Sequence, residues 1–224
     1  MIKLVVFDWN GTLLADTSPV LKASNLALES VGVEKMTLKI LKEKVIIPIS
    51  DYYLNLGYKE ELVVEATQKH LEVFHPSYEG FASKARTRAG AKMVLKYLKN
   101  KGIISIILSH HTTIGIEKQL KRLGLEGYFE AVMANEVKTK IAQNLDKRAK
   151  LQAFLKSKRI RNSEVIIVGD SPGEAIIGRE LKIKSICIKD GNYSTKRLKE
   201  AQPDYLISSL KEIIMIVERI NAGN

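Results

Sequence analysis

Short runs of β-branched and apolar residues recur along this chain, at residues 2–7, 103–108, 131–134, 165–168, 185–188 and 205–207. They are too short for core helices and too uniformly apolar for strands with one wet face, so they read as strands buried on both sides. Helical spacing fills the intervals, at residues 89–100, 114–123, 147–158, 173–181 and 210–220, and Gly124 closes the second of these as a helix stop. A strand, a crossover helix and a second strand make a parallel pair, and repeating that unit lays helices over both faces of one sheet. The fold class that follows is α/β, with a parallel sheet as the middle of three layers.

Residues 16–85 break the alternation. They carry roughly helical spacing, for instance at Leu62, Val63, Ala66 and Leu71, with no strand between. Thr17, Ser18 and Pro19 form a helix start, a hydroxyl cap followed by proline at the first helical position. The segment reads as a helical insertion after the first strand. It divides the chain into a core of residues 1–15 and 86–224 and an α-helical cap of residues 16–85. Ligands of open α/β sheets bind beyond the carboxyl ends of the strands, so an insertion leaving that end of strand one is expected to cover the site, exclude water and select the substrate.

With 224 residues, 45% apolar and 27% charged, the chain has the composition of a folded globular protein. The apolar run that ends at Asp8 lacks the length and flanks of a signal peptide, and residues 103–108 fall far short of a membrane span. The expectation is a cytoplasmic protein with no membrane partner. Cys187 is the only cysteine, which leaves no intramolecular disulfide and no thiolate zinc cluster, and its apolar neighbours make it a buried small hydrophobe. The net charge of +11 favours an anionic partner. Lysines are spread along the whole chain and aromatic residues do not interleave with them as a base-stacking platform requires, so a small anionic substrate is expected and nucleic acid is not. Monomer and homodimer both stay open.

The first strand ends in Phe7-Asp8-Trp9-Asn10-Gly11-Thr12, which places a carboxylate where the apolar run stops and glycine permits a sharp turn. A carboxylate there can attack phosphorus when a divalent cation neutralises nucleophile and phosphate, although Asp before Gly-Thr is also an ordinary turn. Residues 165–168 run into Gly169-Asp170-Ser171-Pro172-Gly173-Glu174. With Pro172 opening the next helix, Asp170 lies in the turn and Glu174 in the first helical turn, where both can face one cation together with Asp8. Each also has a purely structural reading, Asp170 as a helix cap and Glu174 as a favourable charge at a helix N-terminus. After Leu108, Ser109 and His110 bring a hydroxyl and backbone N–H groups to the same sheet edge, where they can hold phosphate oxygens. A lysine can balance the phosphate as a point charge. Lys147 is the choice, with Lys138 and Lys140 as rivals.

In order and spacing these segments resemble the four motifs of the haloacid dehalogenase-like hydrolase superfamily, and the resemblance extends over essentially the whole chain. Residues 17–85 are similar to its helical cap and Pro203-Asp204-Tyr205-Leu206-Ile207 to its last strand. The resemblance implies a Rossmann-like core with a helical cap, and a magnesium-dependent phosphatase acting on a small phosphorylated metabolite, with phosphoglycolate-like substrates by analogy. By position it implies that Asp8 forms an aspartyl-phosphate that water then hydrolyses. Ser109 and Lys147 would orient the phosphoryl oxygens. Asp8, Asp170, Glu174 and the backbone carbonyl of Asn10 would hold Mg2+, and Trp9 is expected to pack against the turn.

The chain departs from that pattern at Asn10, where the family has a second aspartate that protonates the leaving oxygen and later activates water. An amide exchanges no proton, so general acid–base help worth about 10² to 10⁴ in rate is missing or comes from elsewhere. One consequence is a slow or leaving-group-selective phosphatase, with His110 or His111 as a substitute acid. Another is a phosphonatase-like carbon–phosphorus hydrolase. That branch shares Asp-Trp-x-Gly-Thr and uses a cap lysine as a Schiff base, for which Lys42 and Lys44 stand in the cap. A third is a regulatory protein that binds phosphate without turning it over.

Overall fold

The computed structural model describes residues 1–136 and 146–223. Its centre is a parallel sheet of six strands in which β1 (Leu4–Phe7) lies between β4 (Ile104–Thr112) and β6 (Val165–Gly169). Outside β4 comes β5 (Ala131–Asn135); outside β6 come β7 (Lys184–Ile188) and β8 (Tyr205–Ile207). This is the three-layer, Rossmann-like α/β arrangement that the alternation of runs implied.

Because side chains alternate along a strand, β1 feeds two cores. Val5 and Phe7 point into one with Ile107, Val168 and the apolar faces of α5 (Ala91–Asn100), α6 (Thr113–Leu123) and α10 (Glu212–Asn221). Leu4 and Val6 point into the other with Ile106, Leu108, Ile167 and the helices α7 (Lys147–Lys158) and α8 (Pro172–Leu181). Cys187 is fully buried against Leu198 of α9 (Thr195–Glu200), the hydrophobic role its neighbours suggested.

The insertion has a core of its own. Between the two-residue strands β2 (Leu14–Ala15) and β3 (Arg86–Thr87), which pair antiparallel, run α1 (Thr17–Ser30), α2 (Leu38–Lys44), α3 (Ile49–Asn55) and α4 (Glu60–Ala82). Leu28, Met36, Leu41, Tyr52, Tyr53, Val63 and Ala66 pack together among them. No helix among the described residues is long and apolar enough to cross a membrane.

Two local expectations are corrected. The first strand-like run after the insertion was expected to end at Leu108, before the polar Ser109-His110-His111-Thr112. Instead β4 runs on to Thr112, which pairs with Asn135 across an irregularity in register, so the polar stretch is extended backbone and not loop. The start of α1 also differs: the residue before its first turn is Asp16, and Thr17 is already helical, so no hydroxyl caps the helix. Asp16 makes no cap hydrogen bond because its carboxylate is engaged elsewhere.

Candidate active site

The register of the three central strands decides what meets at the carboxyl edge of the sheet. Phe7 is level with both Ile107 and Val168, and the Asp8 N–H donates to the Val168 carbonyl at 2.8 Å. Asp8 therefore emerges beside Gly169 and Asp170 on one side and beside Leu108 and Ser109 on the other. The chain leaves β1 toward β4 and β5 and returns to β6, so this edge is the point where the strand order reverses, the place where open α/β sheets bind ligands.

Helix starts bring the rest. Asp146 accepts a hydrogen bond from the Ala149 N–H at 2.7 Å and caps α7, which makes Lys147 its first residue. The Lys147 ammonium then lies 2.7 Å from Asp8 Oδ1 and 2.8 Å from Glu174 Oε1. Ser171 caps α8; its hydroxyl and N–H both donate to Glu174 Oε2, at 2.6 and 3.3 Å. Both Glu174 oxygens are thus occupied, one by Lys147 and one by Ser171. A Cβ at Gly169 would overlap the Glu174 carboxylate, so only glycine allows this approach.

Asp170 faces Asp8 through a shared hydroxyl. Thr12 Oγ1 lies 3.2 Å from Asp170 Oδ1 and 3.4 Å from Asp8 Oδ2, and the Asn192 N–H donates to Asp170 Oδ2 at 2.5 Å. Gly11, at φ 71°, turns the chain here, and a Cβ on it would overlap the Asp170 carboxylate. Arg88 ties this turn to the loop after β7 by donating to the carbonyls of Gly11 and Lys189, each at 2.7 Å.

The electrostatics follow from burial. Asp8, Asp170, Glu174 and Lys147 are all buried, three carboxyls with one ammonium. Desolvation pushes the Asp8 pKa up to about 6 against the opposing pull of Lys147. It pushes Asp170 well above the ordinary range too, with Asp8 adding to the rise. Burial acts on Glu174 in the same sense, but the Lys147 ammonium and its hydrogen bonds outweigh it and hold the carboxyl below its usual value. For Lys147, burial is outweighed by the attraction of Asp8 and Glu174, and the ammonium is held charged. An oxygen-rich pocket with this excess of negative charge fits a hard divalent cation. Among the described residues, however, no three His, Cys, Asp or Glu side chains converge as a complete ligand set.

The other residues marked by the sequence spread out around this cluster. Ser109 is buried on β4 and accepts from the His111 N–H at 3.1 Å. His110 stands at the end of β4, where desolvation and the nearby Lys147 ammonium push its pKa down to about 4. His111 is buried and turned to the insertion, 2.9 Å from Glu79 of α4. Lys44 is exposed at the C-terminal end of α2, outside the cluster. The backbone around it is docked on the core, with the Ser194 N–H donating to the Lys42 carbonyl at 3.0 Å and Arg197 to the Val45 carbonyl at 2.8 Å. Lys138 and Lys140 lie outside the described residues. Trp9 is fully buried, with its indole N–H on Gln119.

Asn10 is placed by residues the sequence reading missed. Its Nδ2 donates to Asp16 Oδ2 and to the Tyr78 hydroxyl, each at 2.6 Å; Tyr78 donates to the same Asp16 oxygen at 2.6 Å; and the Gly11 N–H donates to Asp16 Oδ1 at 2.7 Å. Asp16 is fully buried, and that burial raises its pKa against these donors. Neither carries a local signal: Asp16 falls just before α1, Tyr78 lies on α4, and 62 positions separate them.

The chain is similar to known proteins in sequence and in fold. A family model described as haloacid dehalogenase-like hydrolase matches residues 5–188. A glyceraldehyde 3-phosphate phosphatase of Pyrococcus furiosus is 26% identical over 236 residues, covering 100% of this chain and 96% of the relative. A phosphoglycolate phosphatase of Vibrio vulnificus is 22% identical over 222 residues, covering 96% of each. The solved structure of a haloacid dehalogenase-like family hydrolase from Streptococcus pneumoniae superposes with a TM-score of 0.80 at 18% identity, over 96% of this chain and 98% of that one.

Proposed function

Because the chain belongs to the haloacid dehalogenase-like hydrolase family, we propose that it is a phosphatase of small phosphorylated metabolites that works through Asp8, with magnesium as its cofactor. The observation that carries this reading is the setting of the Asp8 carboxylate. Lys147 holds one oxygen at 2.7 Å, while the other faces Thr12 and Asp170 at the open edge of the sheet. The names of the Pyrococcus and Vibrio relatives, both phosphatases of small phosphorylated compounds, support the substrate class.

Asp8 and Asp170, with the backbone carbonyl of Asn10, are the groups that would hold the cation. The chemistry such an ion supplies when bound is neutralisation of charge, so that an anionic carboxylate can approach an anionic phosphate. Asp8 attacks phosphorus, and the bond from phosphorus to the leaving oxygen breaks with its electron pair on that oxygen. Water then attacks the aspartyl-phosphate at phosphorus, releasing phosphate and regenerating Asp8. Lys147 balances the carboxylate and the incoming phosphoryl group, and Ser109 orients a phosphoryl oxygen. Glu174, whose oxygens are taken by Lys147 and Ser171, acts in this account by holding the lysine in place. His110, at the end of β4 beside Ser109, offers polar contact to substrate. The insertion acts as the cap, docked on the core through His111 to Glu79 and through Arg197 to the Val45 carbonyl.

The test is hydrolysis of a chromogenic aryl phosphate by the wild type and by Asp8→Asn, with magnesium and with a chelator. Activity that needs both Asp8 and the metal is expected. Activity that survives loss of both would overturn the proposal.

A further inference from the structure

Whatever Asn10 does in this site depends on which end of its amide faces the reaction space, and the surrounding hydrogen bonds decide that. Its nitrogen has two hydrogens, and both are committed, one to Asp16 Oδ2 and one to the Tyr78 hydroxyl. The reverse orientation would set the amide oxygen 2.6 Å from a carboxylate oxygen, acceptor against acceptor, inside a buried cluster. The tyrosine cannot relieve that clash, because its one hydrogen already goes to Asp16. Asp16 cannot turn away either, since its other oxygen is held by the Gly11 N–H in the turn that follows the nucleophile. Asn10 is half-buried, and with its nitrogen turned to Asp16 and Tyr78 the amide oxygen is the end that remains for the reaction space.

We propose that Asp16 and Tyr78 are positioning residues that lock the Asn10 amide with its oxygen outward, and that this lock makes the site selective for phosphoryl donors whose leaving group departs as a stable anion, phosphoanhydrides and acyl phosphates, over alkyl phosphate esters. The inference rests on the phosphatase reading and deepens it.

The chemistry is one of hydrogen-bond direction. An amide nitrogen turned outward would donate to the leaving oxygen and stabilise the negative charge that gathers there as the bond to phosphorus breaks. An amide oxygen turned outward cannot, and it opposes a departing alkoxide by placing a second acceptor beside it. A leaving carboxylate or phosphate spreads its charge over several oxygens and departs without a donor. In the second step the same oxygen is useful, because it can accept one hydrogen of the attacking water and aim the water's lone pair at phosphorus. The water's proton then leaves with the released phosphate, so the step needs no base at this position. Tyr78 comes from α4, so the lock is complete only when the cap is seated on the core.

The experiment compares kcat/KM for acetyl phosphate and for glycerol phosphate, with saturating magnesium, in the wild type and in Asp16→Asn. The wild type is expected to favour acetyl phosphate by at least about a hundredfold. In Asp16→Asn, the Gly11 N–H holds the new amide oxygen, and the new NH2 replaces the carboxylate oxygen that faced Asn10. Asn10 must then turn its own oxygen inward and its nitrogen outward, so the preference is expected to shrink by about tenfold or more. Glycerol phosphate would gain in absolute rate, which a merely structural defect would not produce. Equal wild-type rates on the two substrates overturn the inference, and that measurement stands even if the variant fails to fold. A folded Asp16→Asn enzyme with an unchanged ratio overturns it as well. In both cases hydrolysis that depends on Asp8 leaves the phosphatase reading intact, whereas no hydrolysis of either substrate, or of an aryl phosphate, removes both.

Discussion

Lys147 Nζ sits 2.7 Å from Asp8 Oδ1 and 2.8 Å from Glu174 Oε1, joining the end of β1 to the first turn of α8 through the first residue of α7. One ammonium between two buried carboxylates opposes the desolvation that favours their neutral forms, and at Glu174 it outweighs it. In the proposed mechanism that arrangement orients the Asp8 oxygen that attacks phosphorus.

Lys147→Ala is therefore expected to lower kcat on an aryl phosphate by about a hundredfold or more, since a preorganised charge in a dry site is lost. Lys147→Arg should not restore it, because a planar guanidinium needs more room than the enclosed ammonium position offers. Steady-state rates, with circular dichroism to confirm folding, check this. Wild-type rates in Lys147→Ala would show that the contact has no part in catalysis.

The two acids on the segment after β6 should behave differently toward metal. Asp170 shares Thr12 with Asp8, whereas Glu174 has spent its oxygens on Lys147 and Ser171. Asp170→Asn is expected to raise the magnesium concentration needed for half-maximal activity by about tenfold or more, in keeping with the loss of a charged hard ligand. Glu174→Gln should lower kcat with little change in that concentration. A magnesium titration of each variant decides the matter, and an equal shift in both would place Glu174 among the ligands after all.

The insertion carries a pH-dependent element of its own. His70 is buried against Tyr53, whose hydroxyl is 2.8 Å from its Nδ1, and desolvation lowers its pKa from 6.5 to about 4. Between these values the unfolded chain binds a proton that the folded one excludes, so stability falls as pH drops from 6.5 and levels off below about 4. At 1.36 kcal/mol per pKa unit the full loss from this residue is roughly 3 kcal/mol. Urea unfolding at pH 7 and pH 5 should show a smaller loss in His70→Gln than in the wild type; identical losses would mean that His70 does not carry the effect.

Much of this was legible in the chain because the relevant signals are local. Uniform apolar runs ending on Asp8 and Asp170 announced both the parallel sheet and its functional edge, since a buried strand must stop where charge begins. Lys147 could be chosen because it opens a helix, but its contact with Glu174 could not be foreseen, as it depends on how α7 and α8 pack on one face of the sheet. The extension of β4 through His110 and His111 was hidden by polar side chains, which say nothing about a backbone that pairs at its end with β5. Asp16 and Tyr78 were missed for a deeper reason: they stand 62 positions apart in sequence, and only the return of α4 toward the sheet brings them together at Asn10.

The most direct test of the central claim is to quench the enzyme in acid during turnover of acetyl phosphate and measure the mass of the peptide that contains Asp8. A phosphoryl adduct on Asp8 is expected in the wild type, and neither adduct nor hydrolysis in Asp8→Asn. Hydrolysis at the wild-type rate in Asp8→Asn, with no adduct in either protein, would contradict it.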